Sequence, residues 1–148
     1  MPSIIPGYVY TLFAALIVGT IIVSACSLAT LNVKNEAVNQ QLMNINQYVA
    51  TQSIILLNSV AQNNQNITQA LNLPASVGNQ VYWLSIANDS SGAWVSSGFG
   101  STATITQQGM YIPVQVSASG VFVSSYGHPT LQCSCVNQSI SLTLSGDY

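Results

Sequence analysis

Apolar residues dominate the first part of the chain. No charged side chain occurs between residues 7 and 33, and residues 8–31 are apolar almost throughout. A helix needs about 20 such residues to cross a hydrocarbon core of roughly 30 Å, so this stretch is long enough to span a bilayer. The basic start and short apolar core of a secretory signal peptide are missing. We therefore predict a retained hydrophobic helix over residues 8–33, preceded by an extended, proline-containing segment over residues 1–7.

The next part of the chain keeps a helical rhythm while its composition turns to Asn and Gln. Apolar residues recur at steps of three, four and their sums, at Val38, Leu42, Ile45, Val49, Leu56, Val60, Ile67 and Leu71. This spacing places them in one stripe along a helix. Asn is a mediocre helix former, so packing on that stripe must stabilise the segment. We predict an amphipathic continuation of the helix over residues 34–72, ending before Pro74.

From Gly78 onward, alternating or short apolar runs are separated by turn residues, as is typical of strands. Strands are predicted at residues 81–86, 93–96, 103–106, 111–116, 120–125 and 139–144. Pro113 cannot donate a backbone N–H to a ladder, so we expect it at an edge or a bulge. The predicted fold class is α+β, with a long N-terminal hydrophobic-to-amphipathic α-helix followed by a small antiparallel β-sandwich-like domain over residues 75–148.

Charge is scarce along the whole chain. Its 148 residues suffice for one small domain with an accessory element, and charged residues make up 3% of them against about 25% in ordinary soluble proteins. Because low net charge promotes association, the protein is expected to self-associate or to be kept soluble by glycans. A single Lys and no Arg exclude the basic surface that nucleic-acid binding requires.

Three sequons follow the hydrophobic segment, and they make Asn66, Asn88 and Asn137 candidate N-glycosylation sites. If these sites are used, this part of the chain is extracellular. A chain so rich in Asn, Ser and Thr also contains such triplets by chance, and that interpretation stays open beside the first.

The cysteines suggest no single chemistry. Cys26 lies in the hydrophobic run and is interpreted as a small packing residue. Cys133 and Cys135 would point to the same side of a strand, where a bridge between them is strained. A candidate disulfide within or between subunits, two thiols, and a metal site that would need further ligands all remain open.

No arrangement of residues indicates catalysis. His128 lies between Gly127 and Pro129 in a predicted loop, and nothing in the sequence positions it against Asp89 or Asp147. No phosphate loop or dinucleotide fingerprint occurs. We predict no enzymatic activity, no cofactor and no metal site. The aromatic residues from Tyr82 to Tyr126 are interpreted as core and interface residues, of which an exposed subset could bind sugars or surfaces.

This layout resembles that of archaeal type IV pilins and the related archaellins. The resemblance rests on the charge-free residues 8–31, on their continuation into the amphipathic residues 38–60, and on a short β-rich part that contains sequons. It covers the whole chain as an architecture rather than as a specific motif. In that family the hydrophobic helices wait in the membrane, are extracted by an assembly platform, and bundle in the core of an extracellular filament with the globular domains outside.

The resemblance implies a homopolymer at the cell surface that serves adhesion, with a leader peptidase, an assembly platform, the membrane and glycans as partners. Small residues at Thr11, Ala15 and Gly19 would allow another helix to approach closely, although lipid-facing helices are also rich in Ala and Gly. The implied packing face in the filament core consists of Tyr8, Leu12, Ala15, Leu16, Gly19, Ile22, Val23 and Cys26.

The sequence departs from this family at its start. Pilin precursors carry a short basic leader that is cut before the hydrophobic run, no such site is visible here, and Met1-Pro2-Ser3 would be an unusual mature start. The alternative function is therefore a single-pass membrane anchor with a β domain that binds a cell-wall layer, or a viral envelope protein of similar layout.

Overall fold

The computed structural model describes residues 4–63, 65–104, 109–136 and 139–147. Within them, one helix precedes a seven-stranded, mostly antiparallel sheet, which confirms the α+β class. The elements are α1 (Ile4–Asn63), β1 (Ile67–Ala70), β2 (Tyr82–Asn88), β3 (Ala93–Phe99), β4 (Gly109–Ile112), β5 (Ser117–Val123), β6 (His128–Val136) and β7 (Ser139–Asp147). The chain separates into two compact units, here called the helix unit, which ends at Ala37, and the sheet unit, which begins at Val38.

Helix α1 begins earlier than the sequence predicts. The predicted extended segment over residues 1–7 is wrong from Ile4 onward, where the helix starts. Pro6 falls in the first turn, where a missing N–H costs nothing because the first four N–H groups of any helix lack intrahelical partners.

Helix α1 also ends earlier than predicted, at Asn63 rather than near residue 72. Two of the three residues that follow are Asn, which is a mediocre helix former, and the chain then enters strand β1. Ile67 pairs with Cys133 of β6, and the Leu71 N–H donates to the Pro129 carbonyl at 2.8 Å. The four-residue spacing of Ile67 and Leu71 therefore reflects two positions on the edge of a sheet and not a helical stripe.

All seven strands belong to one sheet, in the order β1-β6-β7-β5-β2-β3-β4. Among the described residues, every strand pairing is antiparallel except that of β5 with β7, which is parallel. The second layer of the sheet unit is the part of α1 beyond Val38 rather than a second sheet, because its apolar residues join the core that the strands supply. Val49 and Val60 are fully buried there together with Leu84 of β2 and Leu142 of β7.

The parallel pairing of β5 with β7 depends on one glycine. Gly120 has φ +135°, and a Cβ atom at this position would collide with the Leu144 backbone. Gly tolerates such a φ value and such a close backbone approach better than any other residue.

Most of the predicted strands coincide with observed ones. The predictions at residues 81–86, 93–96, 120–125 and 139–144 correspond to β2, β3, β5 and β7. The prediction at residues 111–116 overlaps β4, which ends at Ile112 immediately before Pro113 and lies at one edge of the sheet. Residues 103–104 lie outside any strand, and residues 105–106 lie outside the described part of the chain.

Strands β1 and β6 were not predicted. His128, which we expected in a loop, is the first residue of β6. The inward positions of this strand are Pro129, Leu131 and Cys133, all buried. Only one of them is a large aliphatic residue, so the alternation is weak in the sequence.

Candidate functional site

The main candidate site is the apolar surface of the helix unit. Every side chain from residue 7 to residue 37 is exposed. Tyr8 is 77% exposed, Ile21 61% and Val33 67%, although soluble proteins rarely expose a contiguous apolar patch of this kind. Such a surface requires lipid or apolar protein around it. By length and composition, α1 includes one candidate membrane span within Gly7–Asn63.

The hydroxyl groups of this segment do not make its surface polar. Each Ser or Thr between residues 7 and 33 donates a hydrogen bond to a carbonyl of its own helix, three or four residues earlier. The donors are Thr11, Thr20, Ser24, Ser27 and Thr30, at 2.7–2.9 Å. Because these donors are satisfied locally, the Ser and Thr side chains need no water or polar partner outside the helix.

A shallow groove lies on one face of the helix unit. It has a volume of about 370 Å³ and is lined by Ala15, Leu16, Gly19, Thr20, Val23 and Ser24. A Cβ atom at Gly19 would meet nothing within 4 Å, so no contact inside the chain requires glycine there. The groove offers a place where another helix can approach closely.

The residues predicted to pack in a filament core share the face that carries this groove. At 3.6 residues per turn they fall within about 120° of the helix circumference. They are Tyr8, Leu12, Ala15, Leu16, Gly19, Ile22, Val23 and Cys26, and all are exposed. Helix α1 thus brings them together on one stripe, and their role in packing stays a prediction.

Two of the three candidate glycosylation sites lie in the described residues. Asn66 precedes β1 and accepts a hydrogen bond from the Cys135 N–H, at 3.2 Å. Asn88 ends β2 and accepts one from the Ala118 N–H, also at 3.2 Å. Both side chains are exposed and bind through Oδ1, which leaves Nδ2, the atom that carries a glycan, out of these bonds. Asn137 lies outside the described residues.

Cys133 and Cys135 lie on the core side of β6, with Cys133 buried and Cys135 half-buried. No disulfide is present among the cysteines that the structure describes, and Cys26 is exposed on α1. Burial, reinforced by the neighbouring Cys135, raises the pKa of the Cys133 thiol. In the described ranges no group of three His, Cys, Asp or Glu residues could hold a metal ion.

The acidic residues considered for catalysis occupy different places. The β6–β7 ladder pairs His128 with Asp147 at the level of the backbone. Asp89 instead lies in the turn between β2 and β3, where its carboxylate accepts hydrogen bonds from Ser91, Gly92 and Trp94. These hydrogen bonds, led by those from Ser91, hold the pKa of the Asp89 carboxyl below its usual value.

A second candidate site surrounds this turn. We expected an exposed subset of the aromatic residues to be able to bind sugars or surfaces, but no motif indicated this place. Trp94 and Tyr111 face each other there, and a cleft of about 600 Å³ lies beside the turn. The signal was present in the sequence: the alternation that buries Ala93 and Val95 sends Trp94 to the other face of the sheet. Of the remaining aromatic residues, Tyr82, Trp83 and Phe122 are buried and Tyr126 is exposed.

Comparison with known proteins identified no relative. No protein-family model matches this chain, and neither does any curated protein sequence or solved structure.

Proposed function

We propose that this protein is the structural subunit of an extracellular, type IV pilin-like filament that serves adhesion. In this proposal the helix units bundle in the filament core and the sheet units coat its outside. A membrane holds the subunit before assembly, and a leader peptidase and an assembly platform process and extract it. The observation that carries the proposal is the charge-free, exposed surface of residues 7–33, which belongs to a helix whose later part packs on its own sheet.

Two further features support assembly over a lipid anchor alone. A Cβ atom at Gly19 would meet nothing within 4 Å, so the groove there is open and suits close packing against another helix. Four charged residues in the whole chain leave little electrostatic repulsion between copies.

The alternative function is a single-pass anchor that presents a surface or cell-wall-binding β domain. The residues at the two ends of the hydrophobic segment support it. Tyr8 and Tyr10 lie at one end and Lys34 lies just beyond the other. Aromatic and basic residues are enriched at the two interfaces of membrane helices.

A matched pair of substitutions separates the two functions. Ala15→Leu fills the groove, whereas Ala14→Leu adds the same side chain about 140° away from the centre of the predicted packing face. Both variants keep the segment apolar, so both should still insert into the membrane. We expect electron microscopy of surface fibres from the native host to show far fewer filaments for Ala15→Leu than for Ala14→Leu.

Unaltered cells whose purified surface fibres lack this polypeptide would contradict the filament. Equal filament yields from the two variants would contradict the assigned packing face. Recovery of the unaltered protein only as single copies in phospholipid would favour the anchor.

A further inference from the structure

The turn between β2 and β3 is held by one carboxylate. Asp89 Oδ1 accepts hydrogen bonds from the Ser91 N–H at 2.8 Å, the Ser91 hydroxyl at 2.5 Å and the Gly92 N–H at 3.1 Å. Asp89 Oδ2 accepts one from the Trp94 indole N–H at 3.0 Å. The turn and the indole ring are therefore fixed to each other.

A second aromatic ring is fixed to the same turn. Tyr111 of β4 is the register partner of Trp94, and its hydroxyl donates to the Ser91 carbonyl at 2.7 Å. The ring centroids of Trp94 and Tyr111 are 4.9 Å apart with an interplanar angle of 49°. A Cβ atom at residue 92 would collide with the Tyr111 ring, so Gly92 makes this placement feasible.

These rings lie on the face of the sheet opposite the core. Ala93, Val95 and Ile112 point inward and are completely buried, so their neighbours point outward. Tyr111 is 42% exposed and Trp94 is half-buried. Because hydrogen bonds already order both side chains, a ligand that stacks on them would lose little free energy to side-chain ordering.

A polar cleft shares Asp89 with this aromatic pair. Its volume of about 600 Å³ lies in the range of small-ligand sites. The polar residues that line it are Asn88, Asp89, Ser90, Gln115, Ser117 and Ser139. They provide amide, hydroxyl and carboxylate groups, and none of the lining residues that the structure describes is a cation.

We propose that the aromatic pair and this cleft form a binding site for a neutral oligosaccharide. The C–H faces of a sugar ring stack on aromatic rings, while amide, hydroxyl and carboxylate groups pair with sugar hydroxyls. An anionic ligand would meet the Asp89 carboxylate without a compensating cation. The inference deepens the adhesion part of the proposed function by assigning it a ligand class, and it requires no filament.

The test uses the full chain, unpolymerised, in a zwitterionic detergent that has no sugar headgroup. The probes are hexamers of mannose, glucose, galactose and N-acetylglucosamine, with hexagalacturonic acid as the anionic comparison. Binding is followed by tryptophan fluorescence and by isothermal titration calorimetry. We expect at least one neutral hexamer to bind and the acidic hexamer to bind more weakly.

Variants then locate the site. Trp94→Ala should weaken binding about tenfold or more, whereas Trp94→Phe, which keeps a stacking face, should retain part of it. Tyr126→Ala is the control, because Tyr126 is 50% exposed but follows β5 near Tyr82, about 20 Å along β2 from the turn. It should bind as the unaltered chain does. The unfolding midpoint of each variant verifies that the sheet unit is intact.

Three results would overturn the proposal: no binding of any neutral hexamer, stronger binding of the acidic one, or equal affinity of the Trp94→Ala and unaltered chains. If Trp94→Ala fails to fold, the affinities of Tyr111→Ala and Trp94→Phe test the site instead. Unchanged affinity in both variants would equally contradict the site. Filament formation is scored separately by microscopy, so its failure is distinguishable from failure of sugar binding.

Discussion

Leu16 and Leu57 lie on the same helix, yet Leu16 is 58% exposed and Leu57 is 2% exposed. Because the two residues are identical, the difference in their exposure comes from what surrounds each of them. The second part meets the inner face of the sheet, whereas side chains 7–37 are all exposed. A helix can therefore form over its whole length while only part of its apolar surface is buried within its own chain. The rest must be buried by lipid or by another subunit.

Truncation of a leucine in each part of α1 should reveal this difference most strongly. Leu57→Ala removes core packing and should lower the free energy of unfolding of the sheet unit by about 2–5 kcal/mol. Leu16→Ala should change it by less than about 0.5 kcal/mol, because exposed positions away from special features are nearly neutral. Both tryptophans lie in the sheet unit, so denaturation of the full chain in micelles, followed by tryptophan fluorescence, measures this unit alone.

A large loss of unfolding free energy from Leu16→Ala in that assay would show that the helix unit stabilises the sheet unit. This result would contradict the difference between Leu16 and Leu57. A negligible loss from Leu57→Ala would instead place Leu57 outside the core.

Adding a methyl group to a glycine in each unit should have the next largest effect. Gly120→Ala forces a Cβ atom against the Leu144 backbone at φ +135°, and we expect a loss of about 1–3 kcal/mol. Gly19→Ala meets open space on an ordinary helix and should leave the stability of the sheet unit unchanged. The measurement compares the denaturation midpoints of the two variants. Equal midpoints would contradict the close approach of β5 and β7.

Alkaline pH should act on the sheet unit. Burial raises the pKa of Tyr82 from 10.0 to about 12, so the folded state keeps a proton that the unfolded state loses. The resulting stability is complete below about pH 10 and is lost as the pH rises through 12. Tyr82→Phe should flatten this alkaline decline, measured as the unfolding midpoint against pH. Burial also raises the pKa of the Cys133 thiol, so this group should contribute to the alkaline decline as well.

Because Tyr82→Phe also removes the hydrogen bond from the Tyr82 hydroxyl to the Pro74 carbonyl, its stability near neutral pH should be about 0.5–1.5 kcal/mol lower. An alkaline decline as steep as in the unaltered chain would assign the effect to another group.

Local pattern in the sequence determined the helix and most of the strands. The apolar residues 8–31 indicate a helix by themselves, since a helix satisfies its own backbone hydrogen bonds. The short apolar run that begins β2 likewise indicates a strand by itself, because turn residues follow it. The stripe from Val38 to Val60 likewise predicted the buried face of the second part of α1, because its spacing matches the helical period.

Long-range pairing decided the rest. Ile67 and Leu71 fit a helix by spacing, and only pairing with β6 makes residues 67–70 a strand. The parallel contact between β5 and β7 joins segments far apart in the sequence. At the turn between β2 and β3, Asp89 accepts a hydrogen bond from Trp94 and the Ser91 carbonyl accepts one from Tyr111. The separation of these residues along the chain does not indicate that they meet. Local propensity acts over a few residues, whereas a sheet selects its neighbours by how well whole faces bury one another.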